Sequence, residues 1–177
     1  DTTQTDSIPN PEAAPNTEPM AEEPARLELA RRYFTHYGPA TVKDAAYFFG
    51  IKQAEVRTLL QKLPVTAIAL GKETYYYIGQ GSGEYQMPRC LFLAGFDPLL
   101  LGYEKTESLF LPRNNLRHVY TLSGIVRPTI LTDGTVTGWW NYKGRNLTVT
   151  DLGGCDKTAI EEAAAGYFPD LAQIILR

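Results

Sequence analysis

The apolar positions of this chain change their period partway along. RLELARRYFTHY puts Leu27, Leu29, Ala30, Tyr33, Phe34 and Tyr37 near the i, i+3, i+4, i+7 spacing of one helix face. Gly38-Pro39 stops that helix, because glycine suits a left-handed cap and proline cannot continue the turn. Thr41 then offers an N-cap hydroxyl, Asp44 favours the positive helix end, and VKDAAYFF forms a short second helix ending at Gly50. A third helix is predicted over Lys52–Leu63, with Val56, Leu59, Leu60 and Leu63 inward and Lys52, Gln53, Arg57, Thr58, Gln61 and Lys62 outward. Pro64 closes it, and VTAIAL and TYYYI read as two strands around Gly71-Lys72-Glu73. Three helices plus a β-hairpin make a winged helix over residues 25–88, with Ala40–Gln53 as its helix-turn-helix.

Beyond the connector Gly79–Pro88 the pattern turns to short strands with frequent turn signals. Strands are predicted at Arg89–Ala94, Val119–Leu122, Gly124–Thr132, Thr135–Tyr142 and Asn146–Leu152, with turns at Asp133-Gly134 and Lys143-Gly144. Pro128 makes its strand an edge or a bulged one. A terminal helix over Asp156–Tyr167, capped by Asp156, and a last strand at Ala172–Leu176 complete a small β-barrel-like domain over residues 89–177. The predicted class is α+β: a winged helix followed by a small β-barrel with a C-terminal helix.

Composition changes this picture little. Of 177 residues, 44% are hydrophobic, enough for packed cores, and no apolar run approaches the roughly 18 residues of a membrane span. No signal-peptide pattern is present, and Cys90 and Cys155 lack metal-ligand or disulfide spacing. A cytoplasmic monomer without metal, cofactor or membrane partner is therefore expected. Charge is more telling: residues 1–24 carry Asp1, Asp6, Glu12, Glu18, Glu22 and Glu23 and no basic residue. That segment is expected to be a disordered acidic linker. The net charge of −3 thus hides a modest cationic excess within residues 25–88, which permits polyanion binding without demanding it.

The segments Leu29–Ile51 (LARRYFTHYGPATVKDAAYFFGI), Cys90–Tyr103 (CLFLAGFDPLLLGY) and Ser123–Trp140 (SGIVRPTILTDGTVTGWW) resemble the winged-helix DNA glycosylases of the AlkZ/YcaQ type. Such bacterial enzymes unhook interstrand crosslinks and excise alkylated purines. The resemblance runs from about Ala25 to the C-terminus and corresponds to the later half of such a protein. It implies that the catalytic pair, a glutamine followed two residues later by glutamine or aspartate, belongs to an earlier half. The chain is expected to hold no such pair anywhere, Gln53-Ala54-Glu55 being read as the nearest, and no residue is assigned to catalysis. Phe96-Asp97-Pro98-Leu99-Leu100-Leu101-Gly102-Tyr103 matches the family's Phe-Asp-x-x-Leu-x-Gly-Tyr signature, with Asp97 read as the cap of a short helix. The family places a basic residue, commonly arginine, soon after Gly-Tyr, whereas this chain continues Glu104-Lys105-Thr106-Glu107.

The candidate DNA-binding residues are Lys52, Gln53, Arg57, Thr58, Gln61 and Lys62 on the third helix, joined by Arg113 and Arg117 in a polar loop between two strands that is free of carboxylates. Amides and hydroxyls suit base edges or phosphates, and cations suit the backbone. A solvated helix face explains the same spacing. Tyr75-Tyr76-Tyr77 and Trp139-Trp140 read first as packing residues on alternating strand faces, and as base-stacking groups second. The function implied is the duplex-DNA-binding C-terminal portion of a DNA glycosylase-like protein. A regulatory winged-helix DNA-binding protein and a non-DNA scaffold module remain as alternatives.

Overall fold

The computed structural model describes residues 21–80 and 86–177. Helix α1 (Glu22–His36) starts inside the segment expected to be linker; Glu22 and Glu23 fill its first turn, where carboxylates oppose the positive helix end. Residues 1–20, the rest of that expected linker, lie outside the described residues.

Strand β1 (Ala40–Thr41) leads into α2 (Val42–Phe49) through a reciprocal cap. The Asp44 N–H donates to Thr41 Oγ1 at 3.1 Å, and the Thr41 N–H donates to the Asp44 carboxylate at 2.9 Å. Gly50, at φ 65°, ends α2 in the left-handed conformation. Helix α3 (Gln53–Leu60) is shorter than expected: Lys52 precedes it, Gln61 caps it, and Lys62 and Leu63 fall in a turn. Pro64 disfavours helical geometry at Leu63, which pulls the end back. Strands β2 (Thr66–Leu70) and β3 (Glu73–Tyr77) form the hairpin, and β1 pairs with the other side of β3 to give the order β1-β3-β2. Tyr33, Phe34, Ala40, Ala45, Ala46, Val56 and Leu60 form the core of this helical unit.

The second unit contains β4 (Cys90–Leu93), α4 (Pro98–Leu101), a 3-10 turn at Arg113–Asn115, α5 (Leu116–Val119), β5 (Thr129–Thr132), β6 (Thr135–Lys143), β7 (Asn146–Asp151), α6 (Lys157–Tyr167) and β8 (Gln173–Leu176). The strands lie in the order β4-β5-β6-β7-β8, antiparallel except for the parallel pair β7 and β8. The expected barrel is instead an open sheet, with β4 and β8 as its edges among the described residues. Burial gives the reason. Cys90, Phe92, Ile130, Leu147 and Val149 pack under Ile160 and Ala164 of α6, so that helix covers the face a barrel would enclose. Leu131 and Val136 pack on the other face with Leu100, Leu111, Val119 and Tyr120.

Local signals mark several elements correctly. Asp97 Oδ1 accepts from the Leu99 N–H at 2.9 Å, and the Asp156 carboxylate accepts from the Ala159 N–H at 3.1 Å, each capping its helix. Asp133 and Gly134 both take positive φ in the hairpin turn. In the next hairpin the turn pair is Gly144-Arg145, one residue later than expected. The strands expected at Val119–Leu122 and Gly124–Thr132 shrink to a single bridge between Tyr120 and Val126 and to β5, which begins after Pro128. Pro128 has no N–H for a ladder, and the register irregularity falls between Ile130 and Leu131.

Candidate nucleic-acid interface

All six candidates around α3 are exposed, but they do not share one side. Gln53 and Arg57, one helical turn apart, line a cleft of about 380 Å³ opposite the hairpin, together with Thr41, Lys43, Lys72, Glu73 and Thr74. The Arg57 guanidinium is steadied by a 3.2 Å hydrogen bond donated to Gln53 Oε1. Among the described residues neither Arg57 nor Lys72 is in an ion pair, whereas Lys43 is held 2.6 Å from Glu107. Arg57 and Lys72 therefore supply this cleft's available positive charge, opposed locally by Glu73. Lys43 and Lys72 were not among the sequence candidates; the signal for Lys72 was its place in the hairpin turn beside the third helix.

Thr58 and Lys62 look the other way, into a groove shared with Glu22, Glu23 and Arg26 of α1. Lys62 is in a salt bridge with Glu23. Thr58 Oγ1 donates to the Ala54 carbonyl at 3.1 Å, and Glu55 sits 3.4 Å from Arg26 while accepting from the Lys52 N–H. The acidic start of α1 thus neutralises this side of α3.

Arg113 and Arg117 do not lie in a loop between strands. They fall on the 3-10 turn and on α5, four residues apart, so both stay exposed while Asn115 and Val119 point inward. Neither is in an ion pair among the described residues. Nearby, Arg127 donates to the His118 carbonyl at 3.1 Å and lies 4.7 Å over the Trp139 ring. Trp140 faces the opposite side of β6, packs edge-on against Phe92 and Phe168, and donates its Nε1–H to the Leu93 carbonyl at 3.0 Å. Tyr75 is buried and Tyr76 packs against the helical core.

The Phe-Asp-x-x-Leu-x-Gly-Tyr stretch forms the seam between the two units. Tyr33 of α1 donates its hydroxyl to the Gly102 carbonyl at 2.8 Å, and Tyr103 donates back to the Tyr37 carbonyl at 2.6 Å. A Cβ on Gly102 would lie 2.3 Å from the Tyr37 ring, so only glycine permits this approach. Asp44 joins the seam as well, its second carboxylate oxygen accepting from the Glu104 N–H at 2.9 Å. Burial, with the Asp44 carboxylate adding to it, raises the Tyr33 phenol and pushes Tyr103 up to about 12, so both remain protonated donors. Where the family places a basic residue, Glu104 and Glu107 bind Lys43, and Lys105 stacks 4.5 Å over the Tyr120 ring.

Among the described residues no helix is long and apolar enough to cross a membrane, and no cluster of three His, Cys, Asp or Glu side chains is arranged to hold a metal.

The fold is similar to that of Streptomyces sahachiroi DNA glycosylase AlkZ. The TM-score is 0.77 at 19% identity, over 91% of this chain and 47% of that one, so the chain spans about half the length of that solved relative. Comparison with curated proteins gives no match. The family described as DNA glycosylase AlkZ-like matches residues 2–168, and the chain belongs to that family. The match begins well before Ala25. It takes in Gln4-Thr5-Asp6, a Gln-x-Asp triplet outside the described residues, which corrects the expectation that the chain holds no such pair.

Proposed function

We propose that this chain is the DNA-holding portion of a DNA glycosylase that repairs alkylated purines or interstrand crosslinks. In this reading residues 25–88 act as a winged helix, the sheet unit of residues 89–177 braces it, and duplex DNA lies along the hairpin side of α3. The observation that carries the proposal is the cleft in which Gln53 and Arg57 face Lys72 with both cations out of any ion pair among the described residues. Charge-assisted donors of that kind suit phosphate oxygens, and an amide beside them suits a base edge. Lys52, at the start of α3, and Arg113 and Arg117 on the second unit extend the cationic surface; Gln61 adds a second amide.

The described residues contain no arrangement suited to activating water at a glycosidic carbon, so base excision is assigned outside them. Two measurements test the proposal: binding to a fluorescent duplex, and formation of abasic sites on an alkylpurine duplex. Binding is expected, and any excision is expected to depend on residues outside the described ones. Turnover that survives removal of contaminating glycosylases and disappears in Gln4→Ala/Asp6→Ala would place catalysis in this chain. Failure to bind duplex DNA would favour the scaffold alternative.

A further inference from the structure

We infer that Leu122 is an apolar wedge that enters the base stack of duplex DNA, an inference that rests on the DNA-holding proposal. Thr121–Ile125 turns the chain between Tyr120 and Val126, which pair as an isolated antiparallel bridge. The turn is tightly tied. The Thr121 N–H donates to the Ile125 carbonyl at 2.9 Å, the Gly124 N–H to the Thr121 carbonyl at 3.1 Å, and the Ile125 N–H to Thr121 Oγ1 at 3.0 Å. Thr121 and Ser123 hydroxyls lie 3.0 Å apart. Tyr120 and Val126 at the base are buried, whereas Leu122 is 91% exposed and Ile125 51%.

A single exposed leucine is ordinary on a protein surface. Leu122 differs in its setting. It is the most exposed large apolar side chain among the described residues, and it stands on a turn too constrained to fold it back. The base of that turn is cationic: Arg127 bonds the His118 carbonyl, Arg117 lies on the same short helix, and no acidic residue occurs from Ser108 to Thr132. An apolar tip on a cationic base fits a partner that is anionic outside and apolar within. Duplex DNA is such a partner: the cations meet phosphates, and the leucine, inserted between bases, offsets part of the unstacking cost by leaving water. Because the turn is already ordered, little conformational entropy is lost on insertion.

The test uses the full chain and a duplex carrying 2-aminopurine at several positions, whose fluorescence rises when the base is unstacked. Wild type should raise the signal on binding, Leu122→Ala should bind about tenfold more weakly and lose the rise, and Leu122→Phe should retain it. The exposure of Leu122 leaves the fold intact in both variants. Wild-type binding without a rise, or a Leu122→Ala variant equal to wild type in affinity and signal, would overturn the wedge alone. Absence of wild-type binding would overturn the DNA-holding proposal and the wedge with it.

Discussion

The seam between the two units and the hairpin side of α3 are built from similar polar side chains used to opposite ends. In the seam each group has a partner within the chain: Tyr33 with Gly102, Tyr103 with Tyr37, and Asp44 with both Thr41 and Glu104. Across the α3 cleft, Arg57 has only the neutral Gln53 as a hydrogen-bond partner, and Lys72 has no ion pair among the described residues. Polar groups satisfied inside the chain hold structure, because unpairing them leaves a buried group without water; those facing solvent keep their charge for an outside partner. The family signature that is most conspicuous in the sequence therefore serves assembly, and plainer residues carry the proposed binding.

The comparison breaks most visibly at Gly102. Gly102→Val should lower stability by about 3 kcal/mol, read by denaturant unfolding, since the new side chain meets the Tyr37 ring. A variant as stable as wild type would show that the two units are not locked there. Tyr33→Phe should cost about 1–2 kcal/mol, because the Gly102 carbonyl loses its donor in a buried place. Arg57→Ala, by contrast, should change stability by no more than about 0.5 kcal/mol, as expected of an exposed side chain. The smallest effect is expected from Lys62→Ala, which should weaken duplex binding less than about twofold because Glu23 already engages that cation. A loss at Lys62 equal to that at Arg57 would mean that the acidic start of α1 does not divide the two sides of α3.

Much of the architecture was legible because its signals are local. The Thr41 and Asp44 pair, Gly50, the Asp97 and Asp156 caps and Asp133-Gly134 each act within a few residues of where they stand. The barrel was not legible, since strand alternation gives the buried face of a sheet but not whether a helix or the sheet itself covers it. Residues 113–118 read as a loop from their polar run, and Val119 as the start of a strand. The inward Asn115 and Val119, four apart behind Pro112, were the helical signal that was passed over. The seam joins residues 69 apart in sequence and the Lys62 salt bridge joins residues 39 apart, distances that periodicity does not reach. For the same reason the six outward residues of the third helix read as one set of polar and cationic groups, although folding brings carboxylates to one of its sides.

On this proposal the hairpin side of α3 holds duplex DNA while the seam holds the protein together. Titrating a fluorescent duplex at several salt concentrations with wild type and with Arg57→Ala/Lys72→Ala tests it most directly. Each lost phosphate contact should flatten the slope of log affinity against log salt by about 0.9, so the double variant should be flatter by roughly two units while unfolding at the same denaturant midpoint. Equal affinities and slopes for the two proteins would remove the hairpin side of α3 from the DNA-binding surface.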